Sequence, residues 1–138
     1  MKQFILTSVL FFVAIVANAH KLTIHLNNVE NGKGQLGVVV FGADNYMQYT
    51  NATWATIVKP EKGTTTVTCD LPAGKYAILV MHDENMNNKV DTNAQGIPTE
   101  PTGMSNNPQL KGFPTFDQLA FEVSRDASID INMVRYIK

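Results

Sequence analysis

The chain has 138 residues, a formal charge of -1, 44% hydrophobic residues and one cysteine. That length makes one domain with a core of its own. The near-neutral charge argues against nucleic acid or an anionic membrane as partner, and a lone Cys69 rules out an intrachain disulfide.

The N-terminal residues read as a leader. Lys2 supplies a positive start, Phe4 to Val16 is apolar, and Ala17-Asn18-Ala19 places small residues where a signal peptidase reads. The expectation is a cleaved signal peptide over residues 1–19 and one domain over 20–138. The apolar run is short for a membrane span, no later stretch is longer, and no Cys sits at the cleavage point for a lipid anchor. The protein is therefore expected to be exported, periplasmic or secreted, with no membrane span after cleavage. Cleavage after Ala19 would leave His20 with a free amino group and an imidazole able to chelate Cu²⁺; an ordinary terminal His is the plainer reading. His25, on the opposite strand face, is poorly placed to join it.

Along the chain, Lys21 to Val29 alternates Leu22, Ile24 and Leu26 with polar residues, the period of a half-buried strand. Glu30 to Gly34 has turn chemistry, and Leu36 to Phe41 is a continuous apolar strand; a first hairpin is expected from the pair. Gly42 to Thr53 reads as a loop or short helical turn. Trp54 to Val58 is a short strand, Pro60 to Gly63 a turn, and Thr64 to Leu71 a strand with Val67, Cys69 and Leu71 on one face. Cys69 reads as a buried small apolar residue rather than a reactive thiol. Leu71-Pro72-Ala73-Gly74 is a tight turn, with Gly74 expected in the left-handed region.

Tyr76 to Met81 is the most apolar strand after the leader and so is expected to be central. Phe113 to Phe116 is expected to bring the chain back to the core. Leu119 to Val123 and Ile129 to Ile137 read as the last strands, with Ile129, Ile131 and Met133 on one face. About seven short strands without a sustained helical period predict an all-β antiparallel sandwich.

Between the central strand and Phe113, residues 82–107 are almost free of aliphatic side chains and crowded with oxygens. Asp83, Asn85, Asn87 and Asp91 stand at positions 1, 3, 5 and 9 of a calcium-loop template, with the Lys89 carbonyl at position 7. Ca²⁺ takes six to eight hard oxygens at about 2.3–2.6 Å, and spacing by two turns several side chains to one point. Asn88 replaces the usual Gly at position 6, a small defect because Asn tolerates positive φ. Ala94 replaces the bidentate Glu at position 12, a larger one, and Glu100 is the residue that could reach back. The competing reading is a metal-free loop held by Asx turns.

The signature around these residues, His82-Asp83-x-Asn85-x-Asn87 with Asp91, then Gly96-Ile97-Pro98-Thr99-Glu100 and Gly103-Met104-Ser105-Asn106-Asn107, preceded by Leu71-Pro72-Ala73-Gly74-Lys75-Tyr76-Ala77, resembles the exported bacterial domain-of-unknown-function family 2141. The resemblance covers the chain after the leader. It departs at Asn88, where that family usually has Gly. It implies an immunoglobulin-like or transthyretin-like β-sandwich and names no activity.

Two functional classes follow. One is a non-enzymatic binding or interaction module, acting on a protein or glycan at the cell envelope and presenting a loop that binds Ca²⁺. The other is a metal-dependent enzyme or transition-metal protein using His82, Asp83 and Glu100. Ser105 reads as a turn residue, not a nucleophile. Tyr46, Tyr49 and Trp54 offer an aromatic platform for a sugar ring, against which stands simple packing, the preferred reading for Trp54.

Overall fold

The computed structural model describes residues 18–137. The leader expected over residues 1–19 therefore lies, but for Asn18 and Ala19, outside the described residues. Eight strands follow: β1 (Ala19–Val29), β2 (Gln35–Phe41), β3 (Trp54–Val58), β4 (Gly63–Pro72), β5 (Gly74–Asp83), β6 (Thr102–Met104), β7 (Phe121–Val123) and β8 (Ala127–Asn132). A 3-10 turn occupies Tyr49–Asn51, and a four-residue helix, α1 (Phe116–Leu119), is closed by a Thr115/Gln118 capping box.

The strands form a two-sheet sandwich of the expected class. One sheet has the order β4-β1-β8, the other β3-β2-β5-β6, with β7 pairing the first residues of β5. The alternation seen in the sequence is the cause. Leu22, Ile24 and Leu26 of β1 and Val67, Cys69 and Leu71 of β4 form one wall; Leu36, Val38 and Val40 of β2 and Ile78 and Val80 of β5 form the other. Ile131 and Met133 join the first wall. Each fully buried aliphatic side chain contributes about 1.5–3 kcal/mol against leaving it in water, so the two facing rows carry the fold. Trp54 packs half-buried against this core.

Local geometry corrects several expectations. β1 and β2 do not form a hairpin: β1 pairs β4 and β8, whereas β2 pairs β3 and β5. Both strands bury one apolar row, and the rows face each other across the sandwich, so the connection crosses between sheets. The sandwich is antiparallel except where β8 lies parallel to β1. The run Leu119 to Val123 is not one strand: Leu119 ends α1, and β7 starts at Phe121. The last strand stops at Asn132, with Val134 making a single bridge to Thr102. Phe113 is 81% exposed; Pro114 is the buried residue of that return.

Gly74 is not left-handed. A side chain there would press on the ring of Tyr76, whose hydroxyl donates 2.6 Å to the Pro72 carbonyl. The Leu-Pro-x-Gly-x-Tyr piece is thus a corner pinned by tyrosine as the chain changes sheets.

β5 is central as expected, flanked by β2 and β6. It ends at Asp83, and the oxygen-rich loop begins there.

Candidate cation loop

Alternation along β5 sends consecutive residues to opposite faces. His82 points inward and is fully buried; Nε2 donates 2.7 Å to the Lys33 carbonyl, and Nδ1 has no hydrogen-bond partner. Asp83 points the other way. The two do not converge with Glu100 on one centre, and no group of three His, Cys, Asp or Glu suited to a metal occurs among the described residues. The transition-metal trio His82, Asp83 and Glu100 is not assembled.

Asp83 is 3% exposed and organises the loop's first turn. Its Oδ1 accepts from the Asn87 amide at 3.2 Å, and its Oδ2 accepts from the Asn88 amide at 2.8 Å and the Gln35 side-chain amide at 2.9 Å. Gln35 also donates to Asn88 Oδ1 at 2.8 Å. Asn88 adopts φ 61°, the left-handed turn for which the template uses Gly. Asn85 Oδ1 and Asn87 Oδ1 accept from the amides of Asn87 and Lys89. These are Asx turns, the feature expected of the loop in its metal-free reading. Gln35 and Gly34 had no signal in the loop's own sequence. Gly34 has φ 65°, and a Cβ there would collide with the Asp83 carbonyl, so the β1–β2 connection and the loop root touch backbone to backbone.

The side-chain amides of Asn85 and Asn87 both donate to the Asp91 carboxylate, at 2.8 to 3.0 Å. These bonds, from Asn87 and then Asn85, hold the Asp91 carboxyl below its usual range. A second stitch, Thr99 N to Asp91 O and Asn93 N to Ile97 O, folds residues 91–99 back on themselves and delivers Glu100 to the same place.

Glu100 is 8% exposed. Its Oε2 accepts from the Glu84 amide at 2.7 Å, while Oε1 has no donor. Burial, and then the neighbouring Asp91 carboxylate, push the Glu100 carboxyl above its usual range. Two carboxylates thus lie together where only a shared proton or a cation can reconcile them.

Of the six residues expected at the site, the structure brings Asp91 and Glu100 into contact, with Asn85 and Asn87 on Asp91. Asp83 stands at the root, with both oxygens engaged by donors. Lys89 is exposed, and the group it brings to the loop is its backbone N–H, which donates to Asn87 Oδ1, rather than the carbonyl expected as a ligand.

Arg135 clasps this assembly from outside. Its guanidinium donates to Glu30 at 2.8 Å, Glu84 at 2.6 Å and the Thr99 carbonyl at 3.2 Å. Burial acts to raise the Glu84 carboxyl, but hydrogen bonds from Asn31 and Arg135 outweigh it and hold it low.

The remaining signature residues are stitches. Ser105 Oγ accepts from the Ile78 amide at 3.0 Å and donates to the Leu119 carbonyl at 2.6 Å, which makes it a buried tie. Asn106 ties to Gln118 and Ala120, and Asn107 to Asp130 and Asn132. The Cys69 thiol is pushed up to about 11, by burial first and then by Asp70, which suits packing rather than chemistry. His20 lies within β1 opposite Leu71. Tyr46 and Tyr49 both pack edge-on against Phe41, and the Tyr46 hydroxyl donates to the Pro114 carbonyl. Tyr49 remains 49% exposed.

Over residues 24–132 the sequence matches the family described as "Uncharacterized protein conserved in bacteria (DUF2141)". No curated protein matches the chain. Among solved structures, the tip fimbrial protein Mfa3 from Porphyromonas gingivalis, with a C-terminal truncation, is similar at a TM-score of 0.48 and 10% identity over 85% of this chain. The chain spans about half of that protein, 48% of its length.

Proposed function

The chain belongs to the uncharacterized bacterial family DUF2141, and on that premise we propose that it is an exported, non-enzymatic β-sandwich interaction module whose 82–107 loop is clamped by Ca²⁺. The observation that carries the reading is Glu100: a buried carboxylate with one oxygen lacking any donor, set against the carboxylate of Asp91. Burying such an oxygen without a partner is costly, and a hard divalent cation would supply the missing charge. Glu100 Oε1 and Asp91 are the anionic ligands in this reading. Loop carbonyls, the Asn85 and Asn87 side-chain oxygens and water complete the shell. Asp83 positions the curl by capping the Asn87 and Asn88 amides rather than serving as the main ligand. An all-oxygen set with two acids suits Ca²⁺ better than a soft transition metal.

The module reading rests on how the polar groups are spent. His82 is buried against a backbone carbonyl, Ser105 is locked between two backbone groups, and Cys69 is buried, so these candidates serve as structure. Export rests on the leader pattern of residues 1–19. The partner class is an envelope protein or glycan.

The test is thermal unfolding of the purified protein in EDTA and across added Ca²⁺, with elemental analysis. A ligand that binds only the folded state stabilises it by about 2.7 kcal/mol at a hundredfold excess over Kd. A rise in Tm that saturates with Ca²⁺ is expected. An unchanged Tm with no bound metal would sink the cation reading.

A further inference from the structure

A strand at the end of a sheet presents unpaired N–H and C=O groups, and proteins cover, shorten or charge such an edge. The sandwich has edges at β8, β6, β3 and β4. On β8 the Asn107 side chain stands in for a strand: Nδ2 donates 3.0 Å to the Asp130 carbonyl, and Oδ1 accepts 2.8 Å from the Asn132 amide. On β6, Val134 and Thr102 exchange backbone bonds in both directions. β3 is five residues long and runs into exposed Lys59 and then Pro60. β4 has no such device. It is ten residues long and pairs β1 on one side only. Among the described residues no backbone bond from outside the sheets reaches it. Thr64 to Cys69 contains no charge and no Pro.

We propose that the free edge of β4 pairs antiparallel with β4 of a second copy of this chain, so that two three-stranded sheets join into one. An open edge asks for an extended backbone, and the sequence along β4 selects which one. Outward from Thr66 the segment is symmetric: Thr64 and Thr68, then Lys62 and Asp70, then Pro60 and Pro72 stand at equal distances. A two-fold axis through Thr66 sets that residue against its own copy, Thr64 against Thr68, and Lys62 of each copy against Asp70 of the other, the reciprocity an isologous contact requires. Threonine pairs and opposite charges are favourable cross-strand neighbours.

No other antiparallel register joins these charges. A shift by one residue sets the exposed row against the buried row, and a shift by two takes Lys62 off Asp70. Thr64, Thr66, Thr68 and Asp70 are exposed, whereas Val67, Cys69 and Leu71 are buried, so the pairing continues the polar face outside and the apolar face inside. Asp70 already lies opposite Lys21 of its own β1, and in the joined sheet it stands between two lysines. Pro60 and Pro72, which cannot donate to a ladder, bound the paired stretch. Pairing of this kind draws on main-chain hydrogen bonds more than on buried area, so the dimer is concentration-dependent and not obligate. It stands apart from the cation reading.

Sedimentation of the purified protein over a wide range of concentration tests it, and the mass is expected to rise from one chain to two. Lys62→Asp and Asp70→Lys each set like charges against one another and should weaken the dimer by about tenfold or more. The double variant restores opposite charges and should dimerise again. Both positions are exposed, so the variants keep the thermal unfolding of a folded domain. Thr66→Cys reads the register: the new thiols meet across the axis and cross-link under mild oxidation. Thr64→Cys lies about 14 Å along the strand from its own copy, beyond disulfide reach, and stays uncross-linked; Cys69, buried on the other face, does not compete. A single-chain mass at the highest concentration, a dimer that both single reversals leave intact, or a cross-link through Thr64→Cys and not through Thr66→Cys would overturn the proposal. None of these results touches the cation reading, which is scored by the Ca²⁺ shift in Tm.

Discussion

Glu100 shows how one side chain can be both a structural cap and a site of stored conflict. Its Oε2 holds the Glu84 amide while Oε1 is buried without a partner, and the Asp91 carboxyl lies beside the group. Replacing it by Gln keeps the cap and gives the second position an N–H to donate to Asp91. We expect Glu100→Gln to raise the metal-free Tm by a few degrees, on the order of 1 kcal/mol, and to abolish the response to Ca²⁺. Differential scanning calorimetry in EDTA and Ca²⁺ reads both effects. A variant less stable than wild type in EDTA would mean that Oε1 is not in conflict. The pH dependence follows with a definite sign. Glu100 has its folded-state carboxyl raised, so its contribution to stability is present below the ordinary glutamate range and is lost as pH rises through the raised value. Asp91 is lowered, so its contribution is present above the ordinary aspartate range and is lost only as pH falls through the lowered value. In EDTA, stability should therefore decline on the alkaline side of Glu100's titration, and Ca²⁺ should remove that decline. Parallel Tm-against-pH curves in the two buffers would count against it.

At the scale of elements, the sequence was most readable where one residue's surroundings decide its state. Alternation placed β1 and β4, because side-chain period alone sets which face is buried, and an unbroken apolar run marked the centre of β5. It could not say which strand pairs with which. β1 and β2 are adjacent in sequence with turn residues between them, yet their apolar rows meet across the sandwich, and the β1–β8 pairing joins residues about a hundred positions apart. Gly74 was read as a backbone requirement when the constraint is the Tyr76 ring. At the loop, the Asx turns are those of the metal-free reading weighed against the calcium template, and Glu100 was picked out as the residue that could reach back. Gln35 and Arg135 were invisible, since each arrives from a distant element. Gly34 is the position where such a contact is least forgiving. It is left-handed, and a methyl group would strike the Asp83 backbone. Gly34→Ala is expected to cost about 2–4 kcal/mol, since strain and displacement of the loop root add. A shift of the urea midpoint by less than about 0.5 kcal/mol would show that the connection and the loop are not coupled. The same variant should weaken any Ca²⁺ response, because the Asp83 turn is built on that contact.

For the whole molecule, the division is between a sandwich held by buried aliphatic rows and a long loop held by polar stitches. The stitches are short-range and partly exposed: the amides of Asn87, Asn88 and Lys89 bond to side chains within five positions of themselves. Breaking them uncovers little apolar surface, so this segment can open without the sheets. The β1, β2 and β5 strands are flanked on both sides within their sheets, and their amides are expected to exchange only when the sandwich itself comes apart. Hydrogen exchange followed by mass spectrometry should therefore show two classes in EDTA. Peptides over 84–99 should exchange by local opening, far faster than peptides over 22–26, 36–40 and 77–82. Saturating Ca²⁺ should slow the loop class by at least about tenfold, which is about 1.4 kcal/mol of local stability, while the core class follows the change in global stability alone. If the loop is as protected as the core in EDTA, its own hydrogen bonds suffice and the Asp91–Glu100 pair holds a proton rather than a cation. If Ca²⁺ protects the core but not the loop, the ion binds elsewhere on the sandwich.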